Sequence, residues 1–106
     1  MNYETVVMSI ITNGGNGKSN AMGAIREARE RNFDQAEELL ETAREDISKA
    51  HRTQTDLIQA EVRGEKAETT LLMVHAQDHL MNAVTTIDLA DEFVEMYKKL
   101  KTMEEI

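Results

Sequence analysis

The chain has 106 residues with no Cys, no Pro and no Trp, four aromatic side chains and five Gly, and it carries a net charge of −8 with a pI near 4.8. The absence of Cys excludes disulfide and thiolate chemistry. The acidic balance argues against nucleic acid or an anionic membrane as the main partner, because both bind a basic face. What remains is rich in good helix formers and nearly free of breakers, which predicts an all-α protein with one modest core, a single domain over residues 1–106. Apolar runs such as Val6-Val7-Met8-Ser9-Ile10-Ile11 are too short to span a bilayer. Met1-Asn2-Tyr3-Glu4 offers no basic n-region, so no secretory signal is expected.

The first segment runs from about Glu4 to Arg31. Tyr3 to Ile11 could be a strand, and Asn13-Gly14-Gly15-Asn16-Gly17-Lys18-Ser19 after it has the outline of a phosphate-binding loop. The match fails, because the motif needs Gly five positions before Gly17 and Thr12 stands there. As one long helix, Val7, Ile10, Gly14, Gly17, Ala21, Ala24, Ile25 and Ala28 fall on one stripe at spacings of 3 and 4. The small residues in its middle would let a neighbouring helix come close. Local fraying or a kink is expected at Gly14-Gly15, since each Gly costs about 1 kcal/mol against Ala in a helix.

Asn32-Phe33-Asp34 reads as the first connection, with Asp34 as N-cap, Glu37 completing a capping box and Phe33 as a staple. The second helix carries Ala36, Leu39, Leu40, Ala43, Ile47, Ala50, Gln54, Leu57, Ile58 and Val62 at helical steps. Its other face, Glu37, Glu38, Glu41, Glu45 and Asp46, reads as solvated. Arg63-Gly64 should end it, with Gly64 in the left-handed conformation. Glu65 to Glu68 should open a third helix that runs to about Lys101. Short connections between three long helices predict an antiparallel up-down-up bundle.

The third helix has two faces. Leu72, Ala76, Leu80, Ala83, Ile87, Ala90 and Val94 form a core stripe flanked by Met73 and Val84. Well over 90° away by the same geometry lies a second stripe, Leu71, His75, Asp78, Asn82, Thr85, Leu89, Phe93, Met96 and Leu100, close to a heptad seam. A three-helix monomer has no internal partner for it, and an exposed patch of this kind marks an interaction surface. Self-association through helix 3 is the economical answer. Asp78 repeated around a symmetry axis would bring like charges together, so either the carboxyls take up protons or a cation neutralises the cluster, and a divalent ion held by symmetry-related Asp78 carboxylates is the concrete form of the second.

His75-x-x-Asp78-His79 admits several chemistries. Two His at i and i+4 can share a metal, though Asp stands where zincin variants have Glu and no third ligand is evident. They can also be structural. Or one imidazole can be a covalent nucleophile, and a small protein with a reactive His and no nucleotide site suits a carrier better than a self-contained enzyme.

The segment Met73-Val74-His75-Ala76-Gln77-Asp78-His79-Leu80-Met81-Asn82 resembles the active-site segment of enzyme IIA of the lactose/cellobiose family in the bacterial phosphoenolpyruvate-dependent sugar phosphotransferase system. Ala50-His51-Arg52-Thr53-Gln54-Thr55-Asp56-Leu57-Ile58-Gln59 is similar to that family's second-helix segment, and Phe33-Asp34-Gln35-Ala36-Glu37 to its first junction. The resemblance implies a cytoplasmic homotrimer of three-helix subunits. It implies that His75, at Nε2, accepts a phosphoryl group from the carrier HPr and passes it to a cysteine of enzyme IIB, which serves the membrane sugar permease IIC. It implies further that Asp78 holds a structural divalent metal ion, magnesium by expectation, on the trimer axis. The sugar would be a β-linked disaccharide of the cellobiose, chitobiose or lactose type. Gly14 and Gly17 depart from the family, which usually has alanine-like residues there. His79 and His51 receive no assigned chemistry. The competing class is a non-catalytic helical oligomerisation or regulatory module that has kept the fold.

Overall fold

The computed structural model describes residues 3–66 and 68–105. They form three helices, α1 (Tyr3–Arg29), α2 (Phe33–Val62) and α3 (Leu71–Glu104), with no strand among the described residues. The bundle is a rod 61 Å long and about 20 Å across. Its topology follows from the pairs that touch. The Tyr3 hydroxyl donates to the Glu68 carbonyl at 2.5 Å, and at the far end Arg31 pairs with Glu104, so α1 and α3 run parallel. Asn20 donates to Asp46 at 3.0 Å, and Lys98 to Glu37 at 2.7 Å, so α2 runs against both. The up-down-up bundle is as the sequence predicts.

α1 lies between the other two, and its small residues allow this. A Cβ on Gly14 would stand 3.5 Å from the Leu80 Cα on α3, while one on Gly17 would stand 3.3 Å from the Ala43 carbonyl and 3.0 Å from Ile47 Cγ1 on α2. The glycine cost to the helix is met by two close interhelical contacts. The expected fraying does not occur: the stretch from Asn13 to Ser19 is continuous helix, which also removes the phosphate-loop reading. The predicted α1 stripe is buried at Val7, Ile10, Gly14, Gly17, Ala21, Ala24 and Ala28, with Ile25 packed at its margin. The core has two parts. One centres on Leu40, Ile87 and Val94 and the other on Val7, Ile10 and Leu80, each filled out by alanines.

The helix ends differ from expectation in three places. α1 closes on Arg31, which takes φ 68°, with Asn32 N–H bonded to the Glu27 carbonyl and Arg31 N–H to that of Ala28. This Schellman arrangement normally uses Gly. It brings Asn32, not Asp34, to the N-cap of α2, and Phe33 becomes the first helical residue. No side chain caps α2. The Asn32 amide donates to Glu27, and Glu37 is engaged by Lys98 rather than by a capping box. α2 ends as predicted, with Gly64 at φ 91° and Gly64 N–H bonded to Glu61 O and Glu65 N–H to Ala60 O.

α3 does not open at Glu65 to Glu68. Residues 65, 66 and 68–70 are non-helical connection (residue 67 lies outside the described residues), and the helix starts at Leu71. The reason is Thr70, whose side-chain oxygen accepts from Met73 N–H at 3.1 Å and satisfies one of the orphan donors of the first turn. The late start leaves Leu72 39% exposed, outside the core stripe in which it was expected. The rest of that stripe, Ala76 through Val94, is buried.

Candidate functional site

Starting at Leu71 puts His75 at the fifth position of α3. A helical side chain leans back over the preceding turn, so the His75 imidazole overlies the amide-rich, positive end of the helix dipole. That field favours an anion at this ring. His75 is exposed, and its side chain makes no hydrogen bond among the described residues.

Two contacts fix its surroundings. On α2, Gln54 donates to Gln77 Oε1 at 2.5 Å, and the Gln77 amide reaches Met73 Sδ at 3.4 Å, which ties the opening turns of α3 to α2. One turn along α3, the His79 ring stacks on that of His75, with centroids 5.2 Å apart and 26° between planes. His79 is half-buried against α1, where Gly15 faces its Nε2.

Asp78 is exposed on the same side of α3, as is Asn82. Below them the second stripe is uncovered as predicted, with Leu89 54%, Phe93 40%, Met96 49% and Leu100 45% exposed. The polar residues thus head an apolar strip that has no partner in its own chain. The described residues of one chain bring no three His, Asp or Glu side chains into metal-binding proximity. Asp78 alone supplies one carboxylate. A hard divalent cation wants several oxygens and keeps some of its waters, so this donor set fits such an ion only where carboxylates of further copies join it.

The histidines at 75 and 79 are brought together, but His51 stands apart, exposed on α2. A cavity of about 800 Å³ lies between the start of α1 and the end of α2, lined by Val6, Ser9, Asp56, Leu57 and Arg63 among others, and no α3 residue lines it. A smaller groove of about 280 Å³ between α2 and α3 is lined by Gln54, Leu57, Ile58, Met73 and Gln77, next to the His75 turn. Sequence reasoning missed two features here. One is the Gln54–Gln77 tie, since amide pairing across helices has no spacing signal. The other is the service of Gly15 to His79. None of the described helices is long and apolar enough to cross a membrane.

Compared with known protein families, residues 5–98 match "PTS system, Lactose/Cellobiose specific IIA subunit". The chain belongs to this family. As a IIA component it is a phosphocarrier of a sugar phosphotransferase system. Among the family's characterised members, it is 54% identical over 97 residues to the lichenan-specific phosphotransferase enzyme IIA component of Bacillus subtilis, covering 92% of this chain and 88% of that protein. It is 48% identical to the cellobiose-specific EIIA component of Lactococcus lactis, over 96% of this chain and 88% of that one. Among solved IIA structures, the cellobiose-specific enzyme IIA from Bacillus anthracis superposes with a TM-score of 0.92 at 47% identity, covering 96% of this chain and 94% of that one. The IIA(chitobiose) subunit of Escherichia coli, solved in complex with HPr, superposes with a TM-score of 0.82 at 35% identity, covering 95% and 98%.

Proposed function

We propose that the chain relays phosphoryl groups through His75: its Nε2 accepts a phosphoryl group from phospho-HPr and hands it to a cysteine of enzyme IIB, for uptake of a β-linked disaccharide through the permease IIC. The observation that carries this reading is an exposed imidazole on the second turn of α3 in a IIA-family chain. A neutral imidazole can take the phosphoryl on one nitrogen while the other keeps its proton. The bond from phosphorus to the donor breaks, its electron pair stays with the donor, and a bond from phosphorus to His75 forms. Such a transfer needs positioning and charge stabilisation more than further covalent help. The positive end of α3 supplies some of the charge, and the docked partner supplies the rest. HPr as donor is supported by the complex of the E. coli IIA(chitobiose) relative.

The working unit in this reading is a cytoplasmic homotrimer, each chain acting as one domain over 1–106, with the α3 strips meeting at the axis. The uncovered Leu89, Phe93, Met96 and Leu100 support it. Asp78 of each copy would hold a structural divalent ion there, magnesium by its preference for carboxylate and water oxygens; the ion's part is to neutralise the clustered carboxylates. The relatives are specific for lichenan, galactose, cellobiose, lactose and N,N'-diacetylchitobiose, so the fold serves several sugars. A sugar of the cellobiose or chitobiose type is favoured by the lichenan-specific relative.

The test is incubation with phosphoenolpyruvate, enzyme I and HPr. Wild-type protein should gain one acid-labile phosphate per chain, and His75→Ala should gain none while sedimenting as wild type does. A phosphate retained by His75→Ala would remove His75 from the role, and an unlabelled wild type would favour the non-catalytic module.

A further inference from the structure

The glycines of α1 are not equivalent. Gly14 and Gly17 each lie against the backbone of a neighbouring helix. Gly15 meets only one atom within 4 Å of where its Cβ would be, Nε2 of His79 at 3.8 Å. A glycine inside a helix costs about 1 kcal/mol against Ala, and at Gly15 no backbone approach accounts for it. A Cβ at residue 15 would make ordinary van der Waals contact with this ring nitrogen, so the imidazole of His79 lies over the α1 surface at Gly15. Gly14 lowers the same surface one residue earlier, where its Cβ would be 3.6 Å from the His79 carbonyl. The His79 ring is therefore seated by α1. Its outer face carries the His75 ring at 5.2 Å. Within one chain His75 is exposed and makes no hydrogen bond among the described residues, and the stack is the ring contact that its own chain offers it.

We propose that His79 is a positioning residue: lying over α1 at Gly15, it holds the His75 imidazole by ring stacking in the orientation that presents the acceptor nitrogen. The proposal rests on the reading of His75 as phosphoryl acceptor. His79 takes no phosphoryl group and moves no proton in the step. Its work is to limit the rotamers of the His75 side chain before the donor docks, which lowers the entropy lost on reaching the reactive geometry.

The experiment compares the initial rate and the final extent of labelling from phospho-HPr in the intact protein. In His79→Ala the rate should fall about tenfold, while the extent stays at one phosphate per chain. His79→Phe keeps a flat ring without ring nitrogens and should return to within about twofold of wild type, as stacking and not nitrogen chemistry requires. Gly15→Val adds two methyl groups beyond that Cβ contact and should slow transfer in the wild-type background, yet add nothing in His79→Ala, since the two act through one contact. In unmodified protein, nuclear Overhauser effects between the two rings should be seen, a measurement that no variant's folding can disturb. An unchanged rate in His79→Ala, a His79→Phe protein as slow as His79→Ala, a Gly15→Val effect that persists without His79, or absent ring-to-ring effects would overturn the proposal. Failure of the acceptor reading itself looks different: wild type is then unlabelled, or His75→Ala is labelled.

Discussion

Gly17 lies so close to Ile47 that a Cβ on residue 17 would come within 3.0 Å of the isoleucine Cγ1. Gly14, one turn earlier, meets nothing nearer than 3.5 Å. The two positions should therefore respond oppositely to alanine. Gly14→Ala gains helix propensity at ordinary contact distance and should stabilise by up to about 1 kcal/mol. Gly17→Ala gains the same propensity but must displace Ile47 against the Ala43 backbone, and overpacking of this kind costs about 1 to 3 kcal/mol. Urea denaturation at matched protein concentration separates them. A Gly17→Ala protein as stable as Gly14→Ala would mean that α1 and α2 can part more easily than their contact suggests.

Arg31 occupies a left-handed position, with φ 68°, that glycine would fill without steric cost. It also pairs with Glu104, an exposed contact worth well under 1 kcal/mol. Arg31→Ala loses the pair and keeps the conformational cost, whereas Arg31→Gly loses the pair and relieves it. The glycine variant should be the more stable of the two by about 1 kcal/mol, read as a melting temperature several degrees higher.

Lys98 reaches across to α2, and its pKa is raised above 10.5, chiefly by the hydrogen bond to Glu37, which outweighs the opposing effect of burial, with a lesser contribution from Glu95. A raised lysine pKa means that the folded chain holds this proton more tightly than the unfolded one. The associated stability is fully present below pH 10.5 and is lost as pH climbs through the higher folded value. The ammonium is about one-third exposed, so its worth is that of a surface pair, a few tenths of a kcal/mol to about 1. Lys98→Met should therefore differ from wild type most at neutral pH, and the contribution of the charge should shrink as pH climbs past 10.5. Parallel thermal melts at pH 7, 9 and 11 give the comparison, and a gap that widens with pH would contradict the assignment.

On α3, Phe93 sits in the middle of the uncovered apolar strip. Phe93→Glu would place a carboxylate in the proposed trimer seam, and burying it there costs several kcal/mol per assembly. The variant should sediment as monomer at concentrations where wild type sediments as trimer, with helix content unchanged. Asp78 offers the complementary test. If clustered carboxylates need a cation, wild-type trimer should loosen on treatment with a chelator. Asp78→Asn, which removes the repulsion, should be indifferent to it. Equal chelator sensitivity in both proteins would take the ion away from Asp78.

Periodicity was sufficient for the three helices, their order and the two faces of α3, because each face is a run of residues at steps of 3 and 4 that packing then sorts into buried and bare. Ala76 through Val94 and Leu89 through Leu100 fall where that count places them. The helix ends were less legible. Two acidic residues near Phe33 look like a capping box, yet the left-handed turn at Arg31 moves the start of α2 forward, and nothing in an arginine announces φ above zero. Thr70 was a readable cap, but the acidic run before it imitates a helix opening equally well. The role of His75 did not come from spacing at all, since i and i+4 histidines admit several chemistries; family resemblance supplied it. The seat of His79 against Gly15 depends on the rotation of one helix against another, which no local pattern encodes.

Among the described residues, nine of the sixteen buried apolar side chains are alanines. Unfolding one subunit therefore hydrates little apolar surface for its length, and that surface sets the heat capacity change. The isolated chain should fall below the usual value of about 12 to 15 cal/mol/K per residue, so its stability curve is broad and shallow, varying little with temperature across the physiological range.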